Sequence, residues 1–376
     1  MTAVHPVLEP IRIGSLDLAN RAAVAPMSRV STAGDGVPTE AMARYYAAFA
    51  AGGFGLVVGE GTYFDHAHSQ AYPDQPALVT DAQVAGWRAV VEAVHAQGGR
   101  IVAQLMHAGA LVQGNAHRSE AIAPSAVAPK GRMLRGYGGP GGPYATPRAA
   151  TAGDLEEVLA GVAAGAARAR EAGFDGVEIH AANGYLFDQF LTKYTNLRDD
   201  AYGGAPERRA RLTVEAIAAA RAATDGELLV GVRVSQVKVN DLAYRWDGVE
   251  EGRAIFGALA QALPSYVHVA SEGAPWVQTS FLAPDVSITG LARECCAVPV
   301  IANGGMHDPD LAGSVLDDGH ADLVALGHGA LANPDWPRRL AEARPQEAFD
   351  GAMLSPEVTI ENAERWHAER VGDLVG

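Results

Sequence analysis

Eight short apolar runs recur along the chain, and most end on glycine, serine, histidine or another polar residue. They are residues 22–26, 56–61, 101–107, 177–180, 229–235, 267–271, 300–305 and 323–329. Runs this short and this apolar read as strands buried on both faces, as parallel sheets require. Helical patterns lie between them. Thr80 and Gln83 fit a capping box, and Val84, Trp87, Val90, Val91 and Val94 follow at helical spacing until Gly98-Gly99. Asp154 is expected to open a second long helix through Leu155, Val158, Leu159 and Val162, ending near Gly173. Eight alternations of strand and helix predict an α/β fold, a parallel sheet closed into a (β/α)8 TIM barrel. A doubly wound open sheet would more usually have about six strands. At ~150 residues per domain a chain this long suggests two or three domains. A barrel with insertions can use all of it, so 1–376 is expected to be one domain.

Two stretches fall outside the repeat. In 11–18, Ile11, Ile13, Leu16 and Leu18 flank Gly14-Ser15, which reads as a β-hairpin that could plug the barrel floor. Residues 108–152 form a long loop after the third strand, with six glycines between 131 and 142. Such a loop is usually functional or disordered, and in a barrel it would cover the C-terminal mouth, where active sites lie. Residues 340–376 are expected to be a C-terminal extension.

The net charge of −15 disfavours nucleic acid and anionic membrane as partners. It leaves room for local anion sites made of backbone N–H groups. The two cysteines, Cys295 and Cys296, are neighbours and cannot build a disulfide framework, zinc knuckle or iron–sulfur site. Residues 1–10 lack a basic region followed by an apolar stretch, and no segment supplies ~20 uninterrupted apolar residues. The expectation is a soluble cytoplasmic protein, monomer or homo-oligomer, without a bound metal.

Polar residues at C-terminal strand ends point into a barrel's site. Here they are Ser28, Glu60, Gln104, His107, His180, Arg233, His268, Asn303 and His328. Gly304-Gly305 follows the seventh run, Gly327-His328-Gly329 follows the eighth, and Asn333-Pro334-Asp335 then opens a helix. Barrels hold phosphate at such places, although ordinary turns favour glycine as well.

The fourth strand runs into Glu178-Ile179-His180-Ala181-Ala182-Asn183-Gly184-Tyr185 and on through Phe187, Asp188, Gln189, Phe190 and Leu191. This segment closely resembles the signature of the old yellow enzyme family, FMN-dependent ene-reductases on a (β/α)8 barrel. The resemblance covers nearly the whole chain. It includes Ala25-Pro26-Met27-Ser28-Arg29, Gly59-Glu60-Gly61-Thr62, Gln104-Leu105-Met106-His107, Asn303-Gly304-Gly305 and Leu331-Ala332-Asn333-Pro334-Asp335. It implies that His180 and Asn183 hydrogen-bond a substrate carbonyl or nitro oxygen and that Tyr185 donates a proton. It implies that Gln104 and Arg233 contact the polar edge of the flavin, while Pro26, Met27, Ser28 and Gly61 line its other edge. Asn303 falls in the same family motif as Gly304 and Gly305, which with Gly327 and His328 would surround the FMN phosphate. NADPH or NADH would be the transient reductant, and an enone-type small molecule the acceptor.

These residue types suit that chemistry. Two fixed donors stabilise charge building on an oxygen, and a phenol of pKa near ~10 carries a proton at neutral pH. Two departures from the family stand out. His328 stands where many relatives have Arg, which implies FMN binding that weakens as pH rises above the His328 pKa. Ser28 stands where they often have Thr or Cys. Only 43 residues follow Asn333, without cluster-ligating cysteines, so electrons are expected directly from a diffusing nicotinamide.

Plainer readings stand beside these. Tyr185 could merely pack, Arg233 could pair with Glu178 or Asp188, and Glu60 and His107 could support neighbours. Other activities are flavin-dependent oxidation or isomerisation of a natural product, a flavin-binding protein without turnover, or a metal-dependent barrel hydrolase. The hydrolase would use His107, His180, His268 and Glu60, with His66-Ala67-His68 as a chelating pair.

Overall fold

The computed structural model describes residues 4–373. Eight parallel strands close into a barrel: Ala22–Val24, Leu56–Thr62, Ile101–Leu105, Gly176–Asn183, Leu229–Lys238, Tyr266–Val269, Val300–Asn303 and Leu323–Leu326. Each pairs with its neighbours in chain order, and the eighth pairs with the first. Side chains alternate across the wall, as strand geometry requires. Val57, Ala103, Val177, Val232 and Val267 pack outward under the helices. Ala23, Leu56, Val102, Leu229, Tyr266 and Leu323 fill the interior. Gly231 is needed there, because a Cβ would lie 2.1 Å from the Tyr266 ring.

The hairpin forms as expected, Ile11–Ile13 against Leu16–Leu18, and its Ile13 and Leu18 join the interior cluster as a floor. The capping box at Thr80 is complete, with helix Asp81–His95 burying Trp87, Val90 and Val94. The second long helix differs from expectation. It spans Ala152–Ala172, so it opens before Asp154. Thr151 is the cap, and Asp154 is the third helical residue, closing a box on Thr151 while pairing with Arg148 at 2.7 Å. Asp154 favours a helix start, but from the N3 side of the box.

Two strands run three residues past the ends of their apolar runs. The fourth continues to Asn183, and the fifth continues through Ser235 and Gln236 to Lys238. The loop after the third strand contains a parallel pair, Ile122–Ala123 with Arg148–Ala149. The C-terminal part folds back, with Asn333 bonding the Glu347 backbone and Arg29 donating to the carbonyls of Val358 and Thr359. No helix among the described residues is long and apolar enough to cross a membrane.

Candidate active site

The strand ends open on two adjoining cavities at the C-terminal mouth. The first is lined by Pro26, Met27, Ser28, Gly61, Gln104, His180, Asn183, Tyr185, Arg233 and His328. The second shares Pro26, Met27, Arg233 and His328 and adds Asn303, Gly304, Gly305 and Gly327. The fourteen residues to which the family resemblance gives a catalytic or cofactor role therefore line these two adjoining cavities.

A polar layer forms its floor. Glu178, fully buried, accepts from Gln104 Nε2 at 2.8 Å and Tyr266 Oη at 3.1 Å, and lies 3.0 Å from His268 Nδ1. Burial alone would raise the Glu178 pKa, but His268, Arg233 and Gln104 hold it below its usual value. One N–H of the Gln104 amide is thus engaged below the cleft, which leaves its second N–H and its carbonyl oxygen for a ligand. Arg233 donates to Asn183 Oδ1 at 3.3 Å and Asn303 Oδ1 at 3.5 Å. Asp188 pairs instead with Lys238.

His180 stands beside Arg233 on the neighbouring strand. Burial first, then Arg233 and His268, hold its pKa well below the usual value, so the imidazole is neutral at pH 7. Its Nδ1 and the Nε of Arg233 are buried with no hydrogen-bond partner among the described residues. Such atoms are costly unless a ligand or water meets them.

Asn183 ends the fourth strand with φ +63°, followed by Gly184 at +90°. Asparagine tolerates this left-handed region better than most residues. The turn is held from beneath. Asp188 Oδ2 accepts from Gly184 N at 2.7 Å, and Asp188 Oδ1 accepts from Lys238 Nζ at 2.5 Å. Lys238 also donates to Ser235 O at 2.9 Å, and Asn183 N donates to Ser235 Oγ at 2.8 Å. This network presents Asn183 and Tyr185 to the cleft. Asn183 Nδ2 donates to Glu272 Oε1 at 2.6 Å. The Tyr185 hydroxyl bonds that of Tyr72, and burial raises both phenol pKa values, so both stay protonated at neutral pH.

Glycine builds the other end. Gly304 and Gly305 have φ of +110° and +79°, where a Cβ is strained, and a Cβ on Gly304 would lie 2.5 Å from Ser271 Cβ. His328 stacks on Phe349, with ring centroids 4.1 Å apart. The short helix His328–Ala332 precedes the one expected after Asp335, Trp336–Ala341.

Besides His268, held against Glu178 beneath the cleft, two more strand-end residues turn to support. Glu60 accepts from the backbone N–H of Arg29 and Val30 and from Tyr46 Oη, fixing the chain just past Ser28. His107 Nδ1 accepts from Gly109 N. The hydrolase ligands do not converge: no group of three or more His, Cys, Asp or Glu side chains among the described residues could hold a metal. His66 stacks on His117, and His68 bonds the Glu120 carbonyl.

Tyr72, Tyr137, Glu272 and His307 also line the cleft and escaped the strand-end reading. Glu272 lay within reach of it, since the sixth run ends one residue earlier, at Ser271. The tyrosines sit on loops with no periodicity to place them.

A closed barrel with neutral hydrogen-bond donors, a phenol and a cation at one end of its cleft, and a glycine-walled pocket at the other, defines a cofactor-binding barrel enzyme. Comparison with known proteins makes this specific. The sequence model of the NADH:flavin oxidoreductase / NADH oxidase family matches residues 6–347. The flavin oxidoreductase hxnT of Emericella nidulans is 35% identical, over 93% of this chain and 94% of its own. The old yellow enzyme homologue of Zymomonas mobilis superposes with TM-score 0.81 at 32% identity, covering 91% of this chain and 94% of its own. Morphinone reductase in complex with tetrahydroNAD gives TM-score 0.79 at 33% identity, with 92% of each chain covered. The chain belongs to the NADH:flavin oxidoreductase / NADH oxidase family, that of old yellow enzyme, and is an oxidoreductase.

Proposed function

We propose that this enzyme uses FMN and NADH or NADPH to reduce activated C=C bonds of α,β-unsaturated carbonyl or nitro compounds. The observation that carries the reading is the convergence of His180, Asn183 and Tyr185 on one cleft with Arg233. The residues present fit the cofactor: buried His180 Nδ1 and Arg233 Nε lack partners, and the adjoining pocket is walled by glycine. Pro26, Met27, Ser28 and Gly61 would line the ring, Gln104 and Arg233 its polar edge. Gly304, Gly305, Gly327 and His328 would surround the phosphate, with Asn303 beside Arg233 in the same cofactor site. When bound and reduced, FMN supplies a hydride from N5 to the acceptor's β-carbon.

The chain's own groups do the rest. Neutral His180 and the Asn183 amide are hydrogen-bond donors for the acceptor oxygen as negative charge builds on it. Tyr185 holds its proton at neutral pH and delivers it to the α-carbon. Arg233 places a positive charge where the reduced ring carries negative charge. The protein loaded with FMN should be yellow. It should bleach anaerobically with NADH or NADPH and regain colour with an enone, whereas colourless protein that takes up no FMN would sink the proposal. Recovery of colour with an enone also separates reduction from an oxidising or isomerising role.

The phosphate end gives a pH dependence. Burial, then His307, holds the His328 pKa below its usual ~6.5. Protonated His328 favours phosphate, so its contribution is present below that pKa and lost as pH rises through it. The weakening expected above the His328 pKa therefore falls on the acid side of the usual imidazole range. FMN affinity should tighten from pH 7 down to pH 5 and stay flat above 7. His328→Gln should lose the part of the slope not due to the phosphate's own titration near pH ~6. Identical profiles for both proteins would remove His328 from the phosphate.

A further inference from the structure

The long loop after the third strand brings one aromatic ring to the cleft. Tyr137 lies between Gly136 and Gly138, whose φ values are +83° and +76°. Both glycines lie close against neighbouring chain. A Cβ on Gly136 would lie 3.2 Å from Pro356 O, and one on Gly138 3.4 Å from Pro73 Cγ. The stem is tied at several points. Met133 N donates to Gly142 O at 2.9 Å, and Leu134 exchanges both backbone hydrogen bonds with the Gln113 side chain. Val358 N donates to Gly136 O at 3.1 Å, clamping this flap to the C-terminal segment. The Tyr137 ring stacks on Tyr72 at 4.8 Å and 29°, and the Tyr72 hydroxyl meets that of Tyr185. Leu134 from the flap, Met106, Leu354 and Val358 give the cleft wall an apolar stretch, alongside Arg29 and Glu272.

We propose that Tyr137 sets acceptor size: clamped over the Tyr72–Tyr185 pair, its ring closes the cleft to fused polycyclic acceptors and admits compact, apolar-flanked ones such as single-ring enones. The inference rests on the reductase reading of the cleft. The one cleft must take both the cofactor's ring edge and the acceptor, so Tyr137 has little room to yield without opening it. A roof tied by backbone hydrogen bonds at Gly136, Leu134 and Met133 yields less readily than a free loop. The apolar stretch favours hydrocarbon beside the acceptor oxygen.

The test compares FMN-loaded wild type with Tyr137→Ala and Tyr137→Phe. The substrates are cyclohex-2-enone and a fused tricyclic enone. Binding of the corresponding saturated ketones, which cannot be reduced, is measured by calorimetry. Wild type should favour the single-ring compound in both kcat/KM and binding. Tyr137→Ala should raise kcat/KM for the fused compound at least about tenfold, through KM, the scale a reshaped apolar pocket delivers. Tyr137→Phe keeps the ring and should keep the wild-type preference. A size preference unchanged in Tyr137→Ala, or a wild type that binds both ketones alike, overturns the proposal. If no enone is turned over at all, the reductase reading falls, while the ketone binding ratio still decides the role of Tyr137.

Discussion

Tyr185→Phe should slow reoxidation of the reduced enzyme by an enone about 10²–10⁴-fold, the usual worth of a positioned general acid. Reduction of the flavin by NADH or NADPH should stay close to wild type. The substitution removes one oxygen and keeps a ring that packs 5.1 Å from His180, so the architecture survives. Its structural cost is the loss of the partner of the buried Tyr72 hydroxyl, about 1–3 kcal/mol. That cost lowers stability but spares the half-reaction without proton donation. Tyr72→Phe is the informative companion. If it slows reoxidation as much as Tyr185→Phe, the proton comes from the pair; if it does not, Tyr185 acts as the donor. Anaerobic stopped-flow absorbance separates the two half-reactions.

Lys238→Met should destabilise the fold by about 3–5 kcal/mol, the penalty for leaving a buried charge unpaired. The Lys238 and Asp188 side chains are 1% and 0% exposed. Burial lowers the lysine pKa and raises the aspartate pKa, opposed in each case by the partner. Adding Asp188→Asn to Lys238→Met removes the orphaned charge yet keeps an acceptor for Gly184 N–H. Most of the stability should return. Denaturant midpoints followed by tryptophan fluorescence measure this, and a double variant no more stable than Lys238→Met would show that the pair's charge is not what matters. Because the pair lies under Asn183 and Gly184, both variants should also lose activity beyond their loss of stability.

The barrel was legible because both faces of its strands are buried, which leaves apolar runs with polar ends. The same rule failed where a strand carries a polar network. Ser235, Gln236 and Lys238 are strand residues whose partners are buried, so apolarity stopped three residues early. Asp154 misled by one element of a box whose other half is Thr151. The His180, Asn183 and Tyr185 constellation was found because it lies in one segment of chain. Tyr72 and Tyr137 join it from two loops, and Glu272 from beyond a strand end. Their convergence depends on tertiary geometry, not on local spacing. The Arg233 guanidinium could have served a salt bridge by sequence, and only the structure turns it to Asn183 and Asn303.

The central claim is that one cleft takes reducing equivalents from a nicotinamide and passes them, with a proton from Tyr185, to an activated alkene. The direct measurement is an anaerobic titration of FMN-loaded protein, reduced with one equivalent of NADPH or NADH and then mixed with cyclohex-2-enone. Recovery of the oxidised flavin spectrum with an equal amount of cyclohexanone is the predicted result. Flavin that stays reduced until air is admitted, with the enone recovered unchanged, would contradict it.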